Sequence, residues 1–389
     1  MTRVPEPREL PFLLRLLEDD SPVVRQEVTR ALTLMGSDLA RELNLLSPPE
    51  QQLGRIRQLL EPTLRDLLAR EWGFWRACQQ EEAKLLRGLS LIAHYQTGHR
   101  NPETLDTVLG TLTSSFLARH PEPDAVVLAR HLFGELGLRG ETEHYYDPLQ
   151  SNLVDVVLSG SGNPISLSCI YILVGRRLGL EVSGCNYPGH FFARARLGDR
   201  TAFIDCYQGG LVMDRLLTED LRRRASREVR ERLLDRPASA QTILVRMLRN
   251  LVTAYQRLGE RDRANFFLYL LKTTEDGGEE VHQDVRPPLY SPGQLVRHRH
   301  HGYRGVIVDY DLKCTADELW YRSSRAQPDR NQPWYRVLVD DTEKVGYVAE
   351  TSLSPDESSK EVNHPYVVYF FSKFEDGVYF RNSLPWPDN

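Results

Sequence analysis

At 389 residues the chain exceeds the roughly 250–300 residues at which a single hydrophobic core stops growing, so two or three domains are expected. Hydrophobic residues make up 41%, charged residues 26%, and the net charge is −5: a soluble globular composition, with no apolar run near the roughly 18 residues of a membrane span and no general surplus of Lys and Arg for nucleic acid. Five cysteines (78, 169, 185, 206 and 314) without any C-x-x-C pair predict neither a disulfide framework nor a thiolate zinc site, and fit a reducing cytoplasm.

The opening MTRVPEPRELPFLLRLLEDD carries a short apolar patch met at once by acids, so no signal peptide is expected. In DDSPVVRQEVTRALTLMG, Ser21 stands as helix cap and Pro22 at the first helical position. Val24, Val28, Ala31, Leu32 and Met35 share one face, and Gly36 stops the helix. With PFLLRLLE before it, the pair predicts an antiparallel helix hairpin within residues 1–75 that resembles a single degenerate HEAT-type unit. One hairpin cannot bury its apolar face alone, so it should pack on the next helices of the chain. From about 50 to 140, LLEPTLRDLLAREW, EEAKLLRGLSLIAHYQ, TLDTVLGTLTSSFLARH and AVVLARHLFGELG predict about four helices, and GLRGETEHYYDP breaks the pattern.

Pro164 to Leu178 is apolar at nearly every position, the pattern of a helix buried on most sides. Beyond Gly179, LEVSGCNY, HFFARARL and TAFIDCY are short strands separated by PG and LGDR. A buried helix feeding an antiparallel sheet is an α+β core, assigned to residues 76–235. Within it, Cys169, His190 and Asp205 stand in the chain order of papain-like and transglutaminase-like enzymes. That chemistry needs a thiolate, and a thiol is acidified at a helix N-terminus beside a histidine. If the helix begins at Pro164, Cys169 lies more than one turn past that tip. Cys185 and Cys206, on strands, are small core residues.

The run YYDPLQSNLVDVVLSGSGNPISLSCIYILVGRRLGLEVSGCNYPGHFFARA, followed by FIDCYQGG, resembles the SirB-type transglutaminase-like family. The resemblance implies that His190 of PGHF and Asp205 of FID take the places of the family's histidine and aspartate. The nucleophile's place, counted back from the LG that ends the helix, falls on Pro164 or Ile165, and neither can attack. Asp205 is followed by Cys206 where the family commonly has Asp-Pro. Gly160, Ser161, Gly162, Asn163 and Pro164 replace its usual R-x-G-I-P, which adds flexibility and removes a positive charge beside the pocket. Two readings survive: a shell without acyl-transfer activity, in which His190 and Asp205 are kept for folding or ligand binding, and an enzyme in which Cys169 or Ser166 is a displaced nucleophile.

After the charged stretch LTEDLRRRASREVRERLLDRP, residues 236–278 carry apolar faces on both sides of Gly259, a helix hairpin that resembles one tetratricopeptide unit. TEDGGEEVHQDVRPP, rich in Gly, Pro and acid, supplies a linker at 279–288. From 289 to 389, QLVRHRHHGYRGVIVDYD, PWYRVLVDD, VGYVAETSL and YVVYFF predict a small β-barrel or sheet. This stretch, RHRHHGYRGVIVD and QPWYRVLVD above all, resembles the YccV/HspQ-type domain known as hemimethylated-DNA-binding. Two roles are implied: DNA binding, or helping a bacterial AAA+ protease choose substrates. Pro287 to Asn389 holds 12 Lys and Arg against 15 Asp and Glu, so the candidate contact to nucleic acid or a partner narrows to Arg297, Arg299, His301 and Arg304. Strand alternation would set Arg297, Arg299 and His301 on one face and His298 and His300 on the other. Trp334, Tyr335 and Tyr347 are candidates for a stacking surface, although aromatic residues on barrel strands usually join the core. His298, His300 and His301 lack a nearby acid or cysteine cluster, so no metal and no cofactor is predicted.

The domain order resembles the body of certain eukaryotic F-box only proteins, in which an F-box precedes the same middle and last domains. No F-box pattern is read at the amino end, which suits a bacterial stand-alone protein. The expectation is an α+β multidomain cytoplasmic protein: a helical N-terminal region, a transglutaminase-like core, a tetratricopeptide-like hairpin and a C-terminal small β-barrel. It would act as a non-catalytic scaffold or adaptor for protein clients, delivering them to a protease, with a degenerate transglutaminase-like pocket and no membrane partner. The alternatives are a DNA-binding protein acting through the barrel, and a cysteine-dependent hydrolase or transglutaminase using Cys169, His190 and Asp205.

Overall fold

The computed structural model describes residues 5–19, 21–75, 77–99, 101–187, 190–213, 236–275, 288–316, 318–323, 326–375 and 377–381. They divide into two compact units, Met1–Asn250 and Leu251–Asn389. Most of the charged stretch before residue 236, and the expected linker up to residue 287, lie outside the described residues.

The first unit opens with α1 (Leu10–Arg15), α2 (Pro22–Met35), α3 (Ser37–Leu46) and α4 (Glu50–Trp75). Pro22 starts α2 and Gly36, at φ +52°, ends it, while Ser21 takes the cap position in extended backbone without a side-chain cap bond. The apolar face that one hairpin leaves bare is covered by α3 and α4: Leu10, Leu14, Val28, Leu32, Met35, Leu39, Leu43, Ile56 and Leu60 form one core. Each such side chain contributes about 1.5–3 kcal/mol on burial. Buried Arg57 pairs with Glu61 at 2.8 Å and donates to the Tyr95 carbonyl, which ties α4 to α5 (Glu81–Thr97).

α6 (Leu105–Arg119) is capped by Thr104, and α7 (Ala125–Ala129) by Asp124, whose carboxylate accepts from the Val126 and Val127 amides. α7 widens into a π-helical turn at Arg130–Glu135. Two-residue strands β1 (Arg139–Gly140) and β2 (Ser161–Gly162) pair in parallel around α8 (Leu153–Ser159). α9 (Pro164–Arg177) is buried from Ile165 through Gly175, as its near-continuous apolar sequence requires. It packs on the antiparallel sheet β3 (Val182–Cys185), β4 (Phe192–Leu197), β5 (Arg200–Asp205) and β6 (Leu211–Met213), arranged in that order. α10 (Ala240–Arg257) comes next, and the division between the units falls within it.

The second unit contains α11 (Arg261–Glu275), joined to α10 by the Gly259 turn, with Tyr255 stacked on Phe267 at 5.4 Å. Its five-stranded antiparallel sheet runs β10 (Val345–Ala349), β9 (Trp334–Val339), β8 (Arg304–Asp311), β7 (Leu295–His298), β11 (Leu353–Pro355). The two edge strands are joined by a single 3₁₀ turn, Glu350–Ser352, so the sheet must curl until its edges lie within the short reach of those residues. Both faces are covered. Val296, Ile307, Tyr310, Tyr335 and Val337 make one core, and Leu295, Val306, Val308, Leu338, Phe370 and Tyr379 make another. That is why β8 is buried without a break from Gly305 to Val308.

YVVYFF departs from the β reading. Val367–Phe370 is one helical turn, α12, and only then does β12 (Phe371–Glu375) begin, pairing with β13 (Val378–Arg381). The turn comes after His364 and Pro365, and the His364 ring accepts the Tyr366 amide. Tyr366 then meets Tyr369 and Phe370 three and four residues on, contacts that helical spacing brings about and strand spacing does not.

Candidate functional site

The family-type pair forms where β4 begins and β5 ends. His190 Nε2 lies 3.0 Å from Asp205 Oδ2, and the pairing of Ala193 with Ile204 fixes these ends side by side. Asp205 Oδ1 meanwhile accepts the Tyr207 and Gln208 amides at 3.1 Å each, closing the turn after the strand. With Nε2 engaged, the imidazole keeps Nδ1 for its other side, the arrangement a base needs when a third group orients it. Its ring lies 4.3 Å from Phe192.

A residue distant in sequence holds this loop. Arg246 of α10 donates through Nη1 to Asn186 Oδ1 at 2.6 Å, to the Tyr187 carbonyl at 3.1 Å and to the His190 carbonyl at 3.0 Å. Replacing Arg246 with Ala strands three acceptors in a half-buried loop and is expected to cost about 2–3 kcal/mol. Chemical denaturation measures that loss, and a shifted His190 imidazole resonance reports the loosened pair.

The nucleophile's place is apolar. α9 starts at Pro164, Asn163 caps it by accepting the Ser166 amide, and Ile165 is buried in the first turn. Cys169 is fully buried further along, and desolvation pushes its thiol up to about 12, offset slightly by Arg176. Among the described residues no hydrogen bond joins its sulfur to His190. Buried Ser166 donates its hydroxyl to the Gln150 carbonyl at 2.7 Å. Burial likewise raises Cys185, to about 12, and Cys206. Of the three candidates, then, His190 and Asp205 are brought together, and Cys169 sits in the packed interior of its helix.

In the second unit the basic stretch does not continue as a strand. β7 ends at His298, whose Nδ1 accepts the His300 and His301 amides at 3.2 Å, so alternation stops there and residues 299–302 turn. Arg304 bonds Asp340 at 2.6 Å and Asp356 at 2.9 Å. Arg297 reaches Asp356 at 3.4 Å and the Gly302 carbonyl, Arg299 donates to the Leu353 carbonyl at 2.6 Å, and His301 is exposed and stacks on Tyr303. Trp334 and Tyr335 are core residues, the Tyr335 hydroxyl donating to Glu350 at 2.5 Å. The exposed ring of that aromatic cluster is instead Trp320, 5.8 Å from Tyr347 and 6.2 Å from Trp334. Sequence reading passed over Trp320, which lies on a short helix at Glu318–Ser323 between strands, and Arg246, which has no local motif.

Residues 101–249 match the model of the transglutaminase-like superfamily, and residues 288–378 match that of the hemimethylated DNA-binding protein YccV-like family. A UPF0162 protein of Xylella fastidiosa is 41% identical over 143 residues, 35% of this chain and 50% of that protein. Human F-box only protein 21 is 24% identical over 336 residues, 65% of this chain and 52% of that protein. The mouse protein of the same name is 24% identical, with 65% and 53% covered. The chain thus spans about half the length of the curated relatives it matches. No solved structure matches it. The chain carries a transglutaminase-like domain followed by a YccV-like domain, and among the described residues no helix is long and apolar enough to cross a membrane.

Proposed function

We propose that this protein is a non-catalytic scaffold or adaptor for protein clients, built on a SirB-type transglutaminase-like domain that has lost its attacking group. One observation carries the reading: the tip of α9 is Asn163-Pro164-Ile165, and the thiol of that helix, Cys169, is fully buried and pushed up to about 12. At pH 8 a thiol of that pKa is a thiolate in only roughly one molecule in 10⁴. The His190–Asp205 pair is then a fixed donor–acceptor element beside a client surface rather than a base. Exposed Tyr145 and Tyr146, packed at 5.1 Å, supply aromatic area near it: Tyr145 meets the Tyr207 ring at 6.4 Å, and the Tyr207 amide bonds Asp205. The C-terminal domain is read as HspQ-type, serving protein recognition and delivery to a protease, and five cysteines outside any disulfide suit the cytoplasm.

The test offers the full chain and its Cys169→Ser variant a glutamine-bearing protein and a fluorescent primary amine. No incorporation by either is expected, and iodoacetamide should modify Cys169 only after unfolding. Amine incorporation or ester hydrolysis that Cys169→Ser abolishes would overturn the reading. The DNA reading rests on the family's description. The engagement of Arg297, Arg299 and Arg304 with carboxylates and carbonyls weighs against it, because phosphate contacts need free cations.

A further inference from the structure

We infer that His120, His131 and Glu135 form a divalent-metal site of the zinc type in the helical part of the transglutaminase-like domain. One ligand atom from each lies within 4.8 Å of the others. His131 Nδ1 is 2.8 Å and His120 Nε2 is 3.4 Å from opposite oxygens of Glu135. A tetrahedral zinc with bonds of about 2.05 Å sets its ligand atoms about 3.4 Å apart, so small side-chain rotations complete the set.

The backbone presents these three groups together. His120 comes directly after the last residue of α6, and His131 and Glu135 lie four apart on the π-helical turn, where the Leu136 amide bonds the His131 carbonyl. Such wide turns recur at functional positions. Phe116 packs against both rings, edge-on to His131 at 5.5 Å and tilted to His120 at 5.1 Å. Ser115 Oγ stands 3.4 Å from His131 Nε2, the outer partner that leaves Nδ1 facing inward as a ligand. His120 Nε2 is buried and makes no hydrogen bond, and it stands 3.4 Å from the Glu135 carboxylate, the separation of two ligand atoms on one cation.

Without the cation, His131 Nδ1–H donates to Glu135 and Arg119 bonds the same carboxylate at 3.2 Å. On binding, the His131 proton passes to Nε2 opposite Ser115, and Arg119, whose side chain is 56% exposed, swings away. Two imidazoles and a carboxylate suit zinc and exclude copper(I), which prefers sulfur. Partial exposure of His120 and Glu135 leaves a fourth position to water.

The test strips the full chain with a chelator and titrates Zn²⁺ alone against a chromophoric competitor, with Co²⁺ absorption reporting geometry. One equivalent is expected, with a tetrahedral Co²⁺ spectrum. His120→Gln and Glu135→Gln, at partly exposed positions that spare the fold, should each weaken binding by about 100-fold or more, beyond the 10–100-fold known for outer partners. The doubly substituted His300→Ala, His301→Ala chain should bind as the unaltered one does. No zinc uptake, uptake that survives both Gln substitutions, or uptake lost only with the surface histidines would each overturn the assignment.

Discussion

Gly293→Ala is expected to unfold most of the second unit at temperatures the unaltered protein survives. Gly293 has φ +91°, donates to the Ile307 carbonyl at 2.7 Å and accepts from the Tyr379 amide at 3.0 Å. A Cβ there would stand 2.0 Å from the Tyr379 carbonyl oxygen, a backbone atom that cannot swing aside. Strain at such a φ adds about 1–2 kcal/mol, and the clash forces β13 off its neighbour. A total of about 3–4 kcal/mol is a large share of a domain's stability and should lower the transition by roughly 10–20 °C, read by calorimetry on the full chain. Gly302→Ala is the control. It also has positive φ, +70°, but open space around it, so only the strain should register.

Arg304→Met should be nearly as damaging. Arg304 is 16% exposed and satisfies Asp340, Asp356 and the Lys360 and Glu361 carbonyls. Removing one partner of this partly buried network leaves two carboxylates short of their counter-charge and costs about 2–3 kcal/mol. Burial pushes the Asp356 carboxyl up, but the Ser358 hydroxyl and Arg304 outweigh it and leave it below the ordinary range. A carboxylate so depressed contributes stability above its unfolded pKa of about 3.9 and loses it as pH falls through the folded value. Urea midpoints should therefore fall below about pH 4 in the unaltered chain, and less steeply in Arg304→Met. Were Arg304 a phosphate ligand, the substitution would instead leave stability intact and weaken DNA retention alone.

Much of the architecture was legible because local signals agreed with packing. Pro22 and Gly36 mark α2, the apolar run from Pro164 gives α9, and LGDR turns β4 into β5. Counting from Pro164 is enough to put Cys169 past the helix tip, where the fold buries it. What escaped depends on contacts remote in sequence or on side chains that override propensity. YVVYFF coils because its aromatic rings meet at helical spacing. RHRHH turns because one imidazole accepts two amides. Arg246 reaches the histidine loop from 56 residues away. The H-x₃-E spacing of His131 and Glu135 was a local hint, but only the fold brings His120 to it.

The way β11 ends limits how the sheet of the second unit can be extended. Its Leu353 carbonyl already accepts the Tyr290 hydroxyl and the Arg299 guanidinium, and Pro355 brings no amide proton. An incoming extended segment that tried to lengthen the sheet on this side would find the Leu353 acceptor occupied and one donor missing.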